Sequence, residues 1–264
     1  MGKTIGVLSI KGGVGKTTST IALGDAISGF GKKVLLVDGN FSMPNLGIHL
    51  KIVNPDKTLH NVLNNDSQMK EAIHKLENFD VLPASIFTNL KINPFDLRNK
   101  LRNLKRSYDF ILIDSSPALN DETLATMMAS DELFIVTTPD HPTLSATLKA
   151  AKLANQRKSQ INGLILNKVH SKNFELSLKE IEDTSDIPVM AVVPYDVNVL
   201  KSLSEFVPLT SRRPKSKASE EYKKLAGILV GEKYKPSTFK NLFSKITPKK
   251  QDINREIFYK SYFE

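Results

Sequence analysis

The chain has 264 residues, 40% of them hydrophobic, with a formal net charge of +9 and no cysteine, which suits one large α/β domain with an appendage. Disulfides, cysteine-bound zinc and cysteine-held clusters are excluded, no apolar run reaches the roughly 18 residues of a membrane span, and a reducing cytoplasm is the expected location. The basic balance favours an anionic partner: nucleic acid, anionic lipid or a nucleotide.

Residues 4–10 read as a buried strand, too short for a signal peptide and followed by glycines where a cleavage site would stand. A helix is predicted over 17–30, stopped by Gly31, and then a Val- and Leu-rich strand over 33–38. Further strands are predicted at 79–82, 110–114, 133–137, 163–167 and 189–193. Helical patterns lie between most of them, at 93–106, 119–129, 143–156 and 174–181, and a last one is predicted at 218–230. Continuous apolar strands alternating with helices imply an α/β fold with a mostly parallel, twisted sheet covered by helices on both faces. Ligands of such sheets sit beyond the carboxyl ends of the strands. The pattern breaks near Gly231, which divides the chain into a domain of residues 1–231 and a basic tail of residues 232–264.

Between the first strand and first helix lies Lys11-Gly12-Gly13-Val14-Gly15-Lys16-Thr17-Thr18. Strand, glycine-rich turn and helix is the context of a P-loop. The glycines let backbone N–H groups converge on phosphate oxygens, and the helix adds its positive end. Lys16 is placed to neutralise the β- and γ-phosphates of ATP, and the Thr17 hydroxyl to ligate magnesium. The general pattern has a glycine where Ile10 stands, and a second lysine, Lys11, lies inside the loop.

This combination resembles the deviant Walker A motif, K-G-G-x-G-K-T, of the MinD/ParA family of ATPases. Residues 34–50, VLLVDGNFSMPNLGIHL, are similar to the family's switch I, above all in its MinD branch. Residues 108–117, YDFILIDSSP, resemble Walker B running into switch II, and LILNKV (164–169) and VPYD (193–196) resemble the two adenine-holding stretches. The resemblance implies that Lys11 reaches the nucleotide of a second subunit in an ATP-dependent homodimer. It implies that Asp38 and Asp114 hold magnesium directly or through water, that Asn167 bonds the base, and that Pro194 and Tyr195 flank it. Switch I of the family usually reads Asp-x-Asp, the second carboxylate positioning the attacking water; here that position is Asn40. Losing a general base typically removes ~10²–10⁴-fold of rate, so ATP hydrolysis is expected to be slow.

In the tail, Phe239, Leu242, Phe243 and Ile246 fall at i, i+3, i+4 and i+7, one apolar stripe beside Lys240, Lys245, Lys249 and Lys250. A basic amphipathic helix of this kind can lie in a membrane interface, pack back on its own domain or bind a protein partner, and it resembles the membrane-targeting helix of MinD proteins. Attachment to the inner face of the cell membrane and control of a protein partner are the expectation. Residues 253–263 suit either an extension of the membrane contact or a recognition peptide. A predicted basic face of Arg98, Arg102 and Lys105 offers DNA a weaker site, the kind that ParA-like relatives use.

Overall fold

The computed structural model describes residues 1–88, 91–232, 234 and 249–263. In chain order the elements are β1 (Lys3–Leu8), α1 (Lys16–Ser28), β2 (Val34–Gly39), α2 (Leu46–His49), α3 (Leu59–Leu63), α4 (Met69–Ala72), β3 (His74–Lys75), β4 (Asp80–Leu82), α5 (Leu97–Arg102), β5 (Phe110–Ser115), α6 (Asp121–Ala129), β6 (Glu132–Thr137), α7 (His141–Gln156), β7 (Gln160–Val169), α8 (Leu178–Ser185), β8 (Val189–Pro194), α9 (Val197–Ser204), α10 (Leu209–Arg212), α11 (Lys217–Val230) and α12 (Lys250–Phe263). The strands form one sheet in the order β3-β4-β2-β5-β1-β6-β7-β8. Among the described residues, the β3–β4 pair alone is antiparallel. The expected mostly parallel sheet is therefore present.

Both faces of this sheet are buried, which is why its strands read as unbroken apolar runs. Ile5, Val7, Leu36, Leu112 and Phe134 pack toward α1 and α11. Their neighbours Leu35, Val37, Ile111 and Ile113 pack with Leu97 and Leu101 of α5 on the other face.

Side-chain caps place the helix starts. Asn120 accepts from the Thr123 amide at 3.1 Å, and Asp140 from the Thr143 amide at 2.9 Å. The helix expected from residue 174 begins only at Leu178, because Ser177 and Glu180 form a capping box there. The expected helix 93–106 is interrupted: Pro94–Asp96 and Asn103–Arg106 are 3₁₀ turns around a short α5. Tightening at Asn103 shifts the later side chains off the predicted face. Arg98 and Arg102 stay exposed, but Lys105 turns to Asp131, its Nζ 2.7 Å from Oδ1.

The membrane stripe of Phe239, Leu242, Phe243 and Ile246 lies outside the described residues. The segment after it is described, and its side chains pack on the domain. In α12, Phe258 is buried, and the Arg255 guanidinium donates to the Met190 carbonyl at 2.9 Å, to Glu221 Oε2 at 3.0 Å and to Asp252. Asn254 donates to the Val189 carbonyl at 2.9 Å, so two carbonyls of β8 are covered by side-chain donors, as the edge of a sheet requires. Arg255→Ala is expected to lower stability by about 3 kcal/mol, because it strands a buried carboxylate that Lys224 only partly compensates. Urea unfolding reads this directly; a loss under about 1 kcal/mol means the pair is dispensable.

Candidate nucleotide site

The glycine loop joins the carboxyl end of β1 to α1, and its backbone borders a cavity of about 400 Å³. All of residues 11–18 line it, together with Asn40, Asn167, Pro194 and Tyr195. Stretches far apart in the chain thus meet in one place. Gly15 has a left-handed φ of 91°, and a Cβ there would stand 2.4 Å from Asn167 Nδ2. Only glycine fits both the backbone and that contact. Asn167 in turn donates to the Val14 carbonyl at 2.7 Å, and Lys168 to the Gly13 carbonyl at 2.7 Å. The stretch 164–169 therefore braces the loop as well as bordering the cavity.

Two strand-end carboxylates stand behind the loop, since Asp38 and Asp114 are register partners across β2 and β5. Asp114 is buried, with Oδ1 2.7 Å from Lys16 Nζ and Oδ2 2.6 Å from the Thr17 hydroxyl. Lys16 also donates to the Ser115 carbonyl. The two oxygens of Asp38 accept from the Asn40 amide at 3.1 Å and from the Asn45 and Leu46 amides at 3.1 and 3.0 Å. One carboxylate thereby pins the whole switch I turn. Asn40 itself is buried at 4% exposure, and its Nδ2 donates to the Met43 carbonyl. That bond uses one of the amide's two N–H donors, and its oxygen accepts no hydrogen bond from the described residues.

Burial, and then the nearby Asp114 charge, push the Asp38 pKa up to about 7 against the opposing amides of Asn40 and Leu46 and the Lys16 charge. The folded value lies above the unfolded one. Ionising Asp38 therefore costs stability, and that cost grows as pH rises toward about 7. A cation that binds only the ionised form reverses the cost. Magnesium's contribution to nucleotide affinity is expected to grow about tenfold per pH unit below 7 and to flatten above it. Calorimetry from pH 5.5 to 8.5 on the parent and on Asp38→Asn checks this; an equal slope in both means Asp38 is not the titrating group.

The Lys11 side chain, at the mouth of the loop, is anchored by hydrogen bonds. Its Nζ lies 3.1 Å from Asp140 Oδ1 and 2.7 Å from the Thr143 hydroxyl, at the start of α7. Burial pushes the Asp140 carboxyl up, but hydrogen bonds from Thr138, Thr143 and Lys11 outweigh it and hold the pKa at about 2. The lysine thus rests on a permanent anion.

The chain matches the AAA domain family over residues 2–165, more than half its length. It is 32% identical to the septum site-determining protein MinD of Thermotoga maritima, over 88% of this chain and 89% of that one. It belongs to the MinD/ParA family. An uncharacterized ATP-binding protein of Methanocaldococcus jannaschii is 32% identical, over 89% and 90% of the two chains. MinD of Pyrococcus horikoshii, solved with Mg-ADP, superposes with a TM-score of 0.82 at 32% identity, covering 93% of this chain and all of the other. The chain accordingly has the MinD/ParA fold and is a member of a P-loop ATPase family.

Magnesium, which the family implies, suits the donors present. Thr17, Asp114 and Asp38 offer hard oxygens, and Mg²⁺ takes one or two carboxylates, completing its shell with phosphate and water. The turn after β8 is where the family resemblance leads one to expect the base. Pro194 and Tyr195 line that side of the cavity, and Tyr195 stacks on His170 at 4.7 Å between ring centroids.

Sequence reasoning did not pick out α9, yet Val199, Leu200 and Leu203 form the cavity's apolar wall. The signal was available: Asp196 caps the helix through the Asn198 amide at 2.9 Å, just before that apolar run. Tyr222 of α11 was also missed; it is buried at the cavity's edge, its hydroxyl 2.8 Å from Ser19 Oγ.

Proposed function

We propose that the chain is a MinD-like ATPase that dimerises around ATP, attaches to the inner face of the cell membrane in that state, and positions a partner protein. The carrying observation is the cavity that unites the glycine loop, Asn40 and the Pro194–Tyr195 turn. Lys16 and the loop amides hold the β- and γ-phosphates, Thr17, Asp38 and Asp114 hold magnesium, and Asn167, Pro194 and Tyr195 receive the base. Magnesium, when bound, supplies charge neutralisation of the phosphates.

Lys11 supports the dimer. Its side chain is 40% exposed and tied to Asp140, and an ammonium released from that pair is free to meet the nucleotide of a second copy. Asn40 supports slow turnover: its free oxygen can orient water, but an amide cannot take the proton. Membrane attachment rests on the stripe of Phe239, Leu242, Phe243 and Ile246 beside four lysines. One copy binds marginally, and two joined copies gain avidity. Among the described residues no helix is long and apolar enough to cross a membrane, so the contact is peripheral.

Light scattering and vesicle flotation test the reading together. ATP with magnesium is expected to give dimers that float with anionic vesicles, and ADP to give unbound monomers. Flotation that survives deletion from residue 232 overturns the tail's role. The exposed Arg98 and Arg102 favour a second reading, a ParA-like dimer on DNA; ATP-dependent duplex binding without the tail is its signature.

A further inference from the structure

The parallel strands give the domain two ends. The glycine loop and switch I occupy the carboxyl end. The opposite end is formed by the turns entering all the parallel strands, with exposed Glu77 before β4 and Asp186 before β8 on its flanks, and the turns of β1, β2 and β5 between them are stitched together. The Gly2 amide bonds the Lys105 carbonyl at 2.8 Å, and the Asp109 amide bonds the Lys33 carbonyl at 2.9 Å.

Lys33, Lys105, Arg106 and Tyr108 line a recess of about 490 Å³ there. Most acids of this end are already engaged. Asp131 pairs with Lys105 at 2.7 Å, Glu132 with Lys3 at 2.8 Å, and Glu232 with Lys32 at 3.7 Å. Asp109, the acid lining the recess, accepts from the Lys33 amide at 2.7 Å. The exposed side chains of Lys33 and Arg106 have no acidic partner among the described residues, and neither do Arg157 and Lys158 in the turn before β7. From β2 to β7 is four strand spacings, about 19 Å, so these four cations form two groups at one end of the sheet, with the Lys105–Asp131 and Lys3–Glu132 pairs between them.

The last helix before the tail also ends at this end of the domain. Gly231 caps α11 in a left-handed turn with φ 78°, and the Lys32–Glu232 pair places its exit beside the entry to β2. The apolar and lysine-rich stretch of the tail comes next in the sequence.

We propose that this end of the sheet is a docking face for an anionic membrane surface, with the recess between Lys33 and Arg106 taking a phosphate-bearing lipid headgroup. The inference rests on the membrane reading above and adds an orientation to it: strand N-termini toward the lipid, nucleotide cavity away from it. Lipid is favoured over nucleic acid because the apolar stripe that follows Glu232 in the sequence gains from hydrocarbon and has nothing to gain from a duplex. A basic residue held near an anionic leaflet strengthens binding about fivefold, an effect that salt screens.

The test uses the full chain with ATP and magnesium, floated with phosphatidylglycerol-containing vesicles or with phosphatidylcholine alone. The combined variant Lys33→Gln, Arg106→Gln, Arg157→Gln, Lys158→Gln is expected to bind the anionic vesicles at least tenfold more weakly, with a shallower salt dependence and unchanged ATP affinity. Equal binding by parent and variant overturns this inference alone. A parent that floats with no vesicle overturns the membrane reading with it. Fluorescence anisotropy on duplex DNA is the remaining arm: a variant that loses DNA but keeps vesicles assigns these cations to nucleic acid and overturns the proposal.

Discussion

Lys16→Gln is expected to weaken Mg-ATP binding by on the order of 10²-fold or more. The Lys16 ammonium is buried at 7% exposure, beside the loop whose amides form the phosphate cradle. Two charge-assisted bonds to phosphate at roughly 1.5 kcal/mol each account for that factor. In the structure the ammonium is 2.7 Å from Asp114, and to reach phosphate it must exchange that carboxylate for the nucleotide's charge. The exchange is feasible because Asp114 keeps the Thr17 hydroxyl at 2.6 Å and would be compensated by the magnesium proposed there. Glutamine retains a donor for Asp114, so the variant is expected to fold, with a stability loss well below that of an alanine there. Isothermal calorimetry on the ligand-stripped protein, with circular dichroism as the folding check, decides the matter. A folded Lys16→Gln protein within tenfold of the parent means the loop is not the phosphate site, and the dimer and membrane readings lose their base.

Much of this site is legible in the sequence, and the reason is local. The phosphate loop, the carboxylates ending β2 and β5, and the buried strands each reside in a stretch of no more than ten residues. Their pattern is set by the pleat and the turn and by nothing distant. The features that escaped are assembled across the chain. Asp140 meets Lys11 over 129 positions, and no spacing rule links a lysine in a loop to the cap of a helix so far along. Glu122 of α6 accepts from the Ser42 amide at 2.9 Å over 80 positions, a tie between the switch I turn and the helix after switch II that periodicity cannot show. The short helices α2, α3 and α4 carry too few residues for a 3.6-residue period to emerge. Near residue 253 the aromatic pattern is legible as apolar, but its partner is not. Phe258 stacks on Tyr262 at 4.4 Å and lies against the domain, where sequence reasoning weighs lipid or a second protein. Apolar periodicity records that a face is covered, and the covering surface has to be found in three dimensions.

Asn40→Asp is expected to raise ATP turnover about 10²-fold. Position 40 lines the cavity, and its side chain is held by a bond from Nδ2 to the Met43 carbonyl. The oxygen left free is neutral, able to orient water and unable to take its proton. An added carboxylate supplies that acceptor, and general-base catalysis is typically worth ~10²–10⁴-fold. The low end is the right expectation, for two reasons. Phosphoryl transfer depends mainly on position and charge. The substitution also replaces a donor facing the Met43 carbonyl with an acceptor, which loosens the turn that Asp38 pins through the Asn45 and Leu46 amides. Because the change concerns the attacking water and leaves the phosphate cradle intact, ATP affinity is expected to stay within about threefold, and the gain to appear in kcat. Phosphate release at saturating Mg-ATP measures it. A faster variant identifies the amide as the brake that prolongs the ATP-bound state. An unchanged rate at unchanged affinity shifts the limit to a later step, such as dimer opening, and removes Asn40 as the cause of slow hydrolysis.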